Sequence, residues 1–100
     1  MKFMGTWTIG QDKWLPLLKL WVSMTPEQRA DAGAKVKILG RWHDFASRSG
    51  VIIMESNDLS AVQRYVGRWN PHMDIDLRPV LDDEEAAAGA KQTLADQSAA

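Results

Sequence analysis

The chain has 100 residues, twelve Lys plus Arg against thirteen Asp plus Glu, a formal net charge of -1 and no cysteine. That length makes one small domain, and 45% apolar with 25% charged residues excludes wholesale disorder. Balanced charge argues against a dedicated nucleic-acid binder, and the lack of cysteine excludes disulfide scaffolds, thiolate nucleophiles and zinc–thiolate sites.

The segment Met1-Lys2-Phe3-Met4-Gly5 has no long apolar core of the signal-peptide kind, because Gly5, Thr6 and Thr8 interrupt it. Residues 2–9, rich in β-branched and aromatic side chains and closed by Gly10, read as a strand. Asp12 is the expected cap of the next element. There Trp14, Leu17, Leu18 and Trp21 recur at helical spacing, with Pro16 expected in the first turn, where amides lack intrahelical partners. The strongly apolar stretch 14–22 contains Pro16 and Lys19 and is less than half of the roughly twenty residues a spanning helix needs. The expectation is a soluble, cytoplasmic protein with no membrane partner.

Thr25-Pro26-Glu27-Gln28 predicts a second, short helix ending at Gly33, with Thr25 at the N-cap, Pro26 at the first helical position and Gln28 completing a capping box. Residues 35–44 and 50–56 read as two strands joined by the loop 45–49. Asn57 or Asp58 caps a third helix with Leu59, Val62, Val66 and Trp69 on one stripe, ended by Asn70-Pro71. Residues 73–80 alternate as a fourth strand, and Pro79 suits an edge because it cannot donate to the ladder. Residues 82–100 carry five acids and one Lys, net -4. Residues 1–81, with eleven bases and eight acids, are net +3. The expected organisation is a ferredoxin-like α+β domain over 1–81, followed by an acidic, Ala-rich C-terminal helix or frayed tail over 82–100.

The order βαββαβ makes a four-stranded antiparallel sheet with both main helices on one face. Alternation puts Phe3, Trp7 and Ile9 on one face of the first strand, and Val36, Ile38 and Trp42 opposite Leu39, Arg41 and His43 on the second. In the third, Val51, Ile53 and Glu55 oppose Ile52 and Met54. Both faces therefore carry apolar groups, and two helices cover only one. A sheet-to-sheet homodimer is the expected cover for the other.

Lys2-Phe3-Met4 with Thr6-Trp7, the stretch Gly40-Arg41-Trp42-His43, Glu55, Trp69-Asn70 and the run from Pro79 to Glu85 together resemble one family. It is a family of short bacterial proteins catalogued as a domain of unknown function, and the resemblance spans residues 1–86. The segment 24–33 looks longer and more helical than that family's usual loop. Those proteins are similar in turn to the dimeric α+β-barrel superfamily, which pairs two ferredoxin-like sheets face to face. The resemblance implies this fold and a homodimer, and it implies no particular activity. The wider superfamily includes cofactor-free monooxygenases, haem enzymes and small-molecule binders. A proximal haem ligand is expected on a helix, whereas His43 and His72 lie on or beside strands, so no cofactor is expected.

Arg41 and His43, two apart on one strand, share a face, with Trp7, Trp69 and Tyr65 as apolar wall and Glu55 on the next strand. Arginine offers planar donors to a carboxylate or enolate oxygen, and histidine moves a proton near neutral pH. The ligand-site set is therefore Trp7, Arg41, His43, Glu55 and Trp69, with His43 and Arg41 as catalytic candidates. The plainer reading pairs Arg41 with Glu55 and leaves His43 structural. Adjacent residues point to opposite faces, so His43 and Asp44 make no dyad. His72, Asp74 and Asp76 are too widely spaced along a strand to converge on a metal and read as the polar face of an edge. Trp14, Trp21 and Trp69 read as helix packing, and Trp7 and Trp42 as the pair facing the cavity and the dimer. An RNA-stacking sheet would need a glycine–aromatic signature that is missing. The function expected is binding of a small anionic or aromatic molecule between sheet and helices. The alternatives are a cofactor-independent enzyme, proton-transferring or monooxygenase-like, using His43 and Arg41, and a purely structural or interaction protein.

Overall fold

The computed structural model describes residues 1–99. Its elements are β1 (Lys2–Thr8), α1 (Gln11–Ser23), α2 (Pro26–Ala30), β2 (Lys37–Asp44), β3 (Ser49–Glu55), α3 (Leu59–Trp69), β4 (Asp74–Val80) and α4 (Asp83–Ala99). The four strands form one antiparallel sheet in the order β2-β3-β1-β4. This is the ferredoxin-like βαββαβ layout with a short α2 added to the first crossover and α4 appended at the end. Pro79 sits on β4, an edge strand, where its missing N–H costs the sheet least.

Local chemistry sets most boundaries. In α2, the Thr25 hydroxyl accepts from the Gln28 amide at 3.1 Å, and the Gln28 side chain accepts from the Thr25 amide at 2.8 Å. The expected capping box is complete, but α2 stops at Ala30. The chain then turns through Gly33 at a φ of 97°, a left-handed conformation that favours glycine. Asp58, not Asn57, caps α3 by accepting from the Ala61 amide at 3.0 Å. Two expectations for α1 fail. Its N-cap is Gly10, without a side-chain hydrogen bond, and Asp12 lies inside the first turn. Pro16 is the sixth residue, past the first turn, where it withholds an N–H from the helix ladder.

Helices α1 and α3 lie on one face of the sheet. Leu17 from α1 and Ala61, Val62 and Tyr65 from α3 close over Phe3, Trp7, Ile52 and Met54, and both Met54 and Val62 are fully buried. The far face carries Lys2, Met4, Val51, Ile53 and Trp42, with no helix across it among the described residues, and Trp42 is 60% exposed. Helix α4 buries none of its residues. Its first turn is tied to that far face through Lys2, whose ammonium reaches Asp82 at 3.1 Å, Glu85 at 3.3 Å and Glu55 at 3.4 Å. Hydrogen bonds to Asp82 and then Glu85 hold the Lys2 ammonium above the ordinary lysine range.

Strand β2 contains the main departure from simple alternation. Its register against β3 shifts between Ile38 and Gly40, so Leu39 is an extra residue. Ile38 pairs with Met54, and Arg41 with Ile52, so Ile38, Arg41 and His43 all face the helices while Trp42 faces away. Alternation alone places Ile38 with Trp42 instead. A bulge is a one-residue change of phase, which period-two counting does not detect.

Candidate functional site

Between the sheet and helices α1 and α3 lies a cavity of about 90 Å³. Its walls are the indoles of Trp7, Trp14, Trp21 and Trp69 together with aliphatic side chains from every layer of the domain. The ionisable side chains along it are Arg41, His43 and Tyr65. An apolar cavity of about 150 Å³ holds benzene, so this space, about three-fifths of that, takes a short branched chain as it stands and a single ring once its walls shift outward.

Gly50 makes room for the Trp7 ring, which walls the cavity at its sheet end. A Cβ there would run into the Trp7 ring and lie 2.6 Å from the Trp42 carbonyl oxygen. Trp7 therefore lies across Gly50, and His43, paired with Gly50, meets the Trp7 ring edge-on at a centroid distance of 5.6 Å. Trp21 of α1 stands on the other side of His43 at 5.3 Å and contacts Trp69 of α3 at 6.0 Å. Trp14 closes against Phe45 of the β2–β3 turn at 5.3 Å.

Arg41 is held from three directions. Its Nη2 donates to the Tyr65 hydroxyl at 2.7 Å, its Nη1 donates to the Arg29 carbonyl at 3.0 Å, and its guanidinium carbon lies 5.0 Å from the centre of the Trp21 ring. Among the described residues, no carboxylate lies within 4.0 Å of it. Arginine has five N–H donors, so the two bonds leave others for an anion, and the Tyr65 hydroxyl keeps its own proton for donation. His43 is pushed below the ordinary histidine range, first by partial burial and then by the positive charge of Arg41. Its imidazole is therefore neutral at pH 7 and has an acceptor nitrogen available.

Four of the five residues expected at the site, Trp7, Arg41, His43 and Trp69, line this cavity. Glu55 does not. It pairs across β1 with Lys2 on the far face, and the Lys2 ammonium holds it at 3.4 Å. That placement also removes the expected Arg41–Glu55 pair, because the two side chains lie on opposite sides of the sheet. Asp44 turns away as expected: its carboxylate accepts from the Ala46 amide at 3.0 Å and the Ser47 hydroxyl at 2.8 Å. No cluster of His, Asp or Glu suited to a metal occurs among the described residues.

Trp14 and Trp21, expected as plain helix packing, are cavity walls, and Arg29 was not foreseen at all. The spacing of Trp14, Leu17, Leu18 and Trp21 does mark one face of α1. What periodicity omits is that four indoles meeting on a small domain leave space between their rings. Arg29 reaches Trp21 because α2 lies beside β2, a tertiary placement that local spacing does not report.

No helix is long and apolar enough to cross a membrane among the described residues. Among curated proteins none matches the chain. A crystal structure from Deinococcus radiodurans, described as that of an antibiotic biosynthesis monooxygenase, is similar at a TM-score of 0.42 and 14% identity. The match covers 81% of this chain and 92% of that one. The fold assignment rests on the strand order and register above, and a likeness of that degree adds nothing about activity. A family model matches residues 1–94, nearly the whole chain, and the protein therefore belongs to the family described as Domain of unknown function (DUF3303).

Proposed function

We propose that this protein binds a small molecule whose apolar or aromatic body fills the cavity and whose anionic group meets Arg41. The observation that carries the reading is a guanidinium at the wall of an apolar cavity, fixed by Tyr65 and Trp21 and free of any carboxylate partner among the described residues. A half-buried guanidinium beside an apolar cavity, with no counter-charge of its own, gains by taking up an anion. Calorimetry with benzoate and toluene tests this. Benzoate binds the wild type, and Arg41→Met weakens it about tenfold or more, the scale of one charge-assisted hydrogen bond. Toluene affinity changes little. Equal loss of both ligands would mean that Arg41 merely shapes the cavity.

The binding unit is a homodimer, with the far faces of two sheets packed together. Met4, Val51 and Ile53 are half-buried there and Trp42 is exposed, with no helix of the same chain to shield them. A second copy covers such a face with a closed twofold interface.

Neutral His43 supports a second reading, proton transfer without a cofactor. Here His43 accepts a proton from a bound carbon or hydroxyl acid, the bonding pair stays on the ligand as an enolate or alkoxide, and Arg41 stabilises that oxygen. His43→Gln separates the two readings: turnover is lost and benzoate affinity is kept if His43 is the base.

A further inference from the structure

We propose that the groove outside Arg41, between α2 and the edge strand β2, seats a dianionic head group of the phosphate type, so that the ligand of the cavity is a compact apolar phosphate ester. The inference rests on the cavity reading above and adds the chemistry of the head group. Trp21, Arg41 and His43 line both the cavity and this groove. A ligand with its body inside therefore presents its polar end to the groove past these three side chains.

The groove is cationic. Arg29 from α2 places its guanidinium carbon 5.7 Å from the centre of the Trp21 ring, and Arg41 places its own at 5.0 Å. Two guanidinium groups thus share one indole, tethered by the bond from Arg41 to the Arg29 carbonyl. No acidic residue lines the groove, and neither arginine has a carboxylate within 4.0 Å among the described residues. The Arg29 Nε is buried and has no acceptor. Lys37 also borders the groove, but its register opposite Glu55 aims its Cβ at the far face, so the charge comes from the two arginines.

Charge and donor count choose the ligand. Two like charges on one ring repel, and a group carrying two negative charges between them turns that repulsion into attraction. A monocarboxylate brings one charge and two oxygens, which Arg41 alone satisfies. A phosphate monoester brings nearly two charges and three free oxygens, enough for both guanidinium groups. The α2 capping box fixes the backbone of Arg29, so this second cation is built in by local sequence.

The test compares phenyl phosphate, benzoate and inorganic phosphate by calorimetry at about pH 8, where the ester is dianionic. The wild type is expected to bind phenyl phosphate about tenfold or more tighter than benzoate or inorganic phosphate. Arg29→Met should abolish that preference while leaving benzoate within about twofold, and Arg29→Lys should keep part of it. If benzoate binds and phenyl phosphate binds no better, the head-group inference fails and the cavity reading stands. Inorganic phosphate binding as tightly as the ester, or Arg29→Met weakening both ring ligands alike, also overturns it. If neither ring compound binds, the cavity reading falls and takes the inference with it.

Discussion

Two indoles lie across two glycines in this protein, one pair on each face of the sheet. On the helix side Trp7 covers Gly50, and on the far side Trp42 folds back over Gly40. The local arrangement is similar, yet Trp7 is 9% exposed and Trp42 is 60% exposed. The difference comes from what lies above them. Helices α1 and α3 press on Trp7 and complete a cavity, whereas α4 touches the far side only at its first turn, through Lys2. An aromatic–glycine pair in a strand thus becomes part of a cavity or part of an open surface according to its cover.

Substitutions at the two indoles should separate the faces most clearly. Trp7→Ala removes a buried ring and is expected to cost about 3–5 kcal/mol in denaturant unfolding. Trp42→Ala should change the stability of the single chain by less than about 1 kcal/mol. In the proposed homodimer it should instead raise the dissociation constant about tenfold or more, read by analytical ultracentrifugation. Comparable stability losses at both positions would erase the distinction between the faces.

The glycines sharpen the same contrast at smaller scale. Gly50→Ala drives a methyl group into a buried ring and a backbone carbonyl, for an expected loss of about 1–3 kcal/mol. Gly40→Ala meets only the outer edge of the Trp42 ring, which swings aside on the open face, so its cost should be the lower of the two.

Mild acid, between about pH 7 and pH 5, acts on the helix side. The folded pKa of His43 lies below its unfolded value, so the unfolded chain binds more protons as pH falls through the ordinary histidine range near 6.5. Stability from this group is complete above that value and declines below it. The melting temperature should drop between about pH 7 and pH 5, and His43→Gln should flatten the decline. The smallest effect is expected on the far side. Lys2→Met should speed amide exchange in the first turn of α4 and leave the exchange of β1 and β3 core amides unchanged.

Much of the fold was legible in the residues because it rests on short-range chemistry. Thr25-Pro26-Glu27-Gln28 makes its capping box within four residues, Asp58 caps α3 within three, and the alternation of β1 puts Phe3 and Trp7 together. The site was legible in part for the same reason: Arg41 and His43 are two apart beyond the bulge, and any regular strand places them side by side. Glu55 was misplaced because its relation to Arg41 runs through hairpin register. The loop 45–49 does not determine that register, and a shift of one residue changes the face.

The sequence by itself determined the helices, the strands, their order and the capping box of α2, since each depends on neighbours within a turn or a pleat. It also determined that apolar groups occupy both faces of the sheet. Only the tertiary structure decided that Leu39 is a bulge, that Glu55 belongs to Lys2, and that Arg29 shares Trp21 with Arg41. Those contacts join residues from separate elements. Their geometry depends on how helices and strands settle against one another, and a one-residue change of phase there redirects a side chain from the cavity to the opposite face.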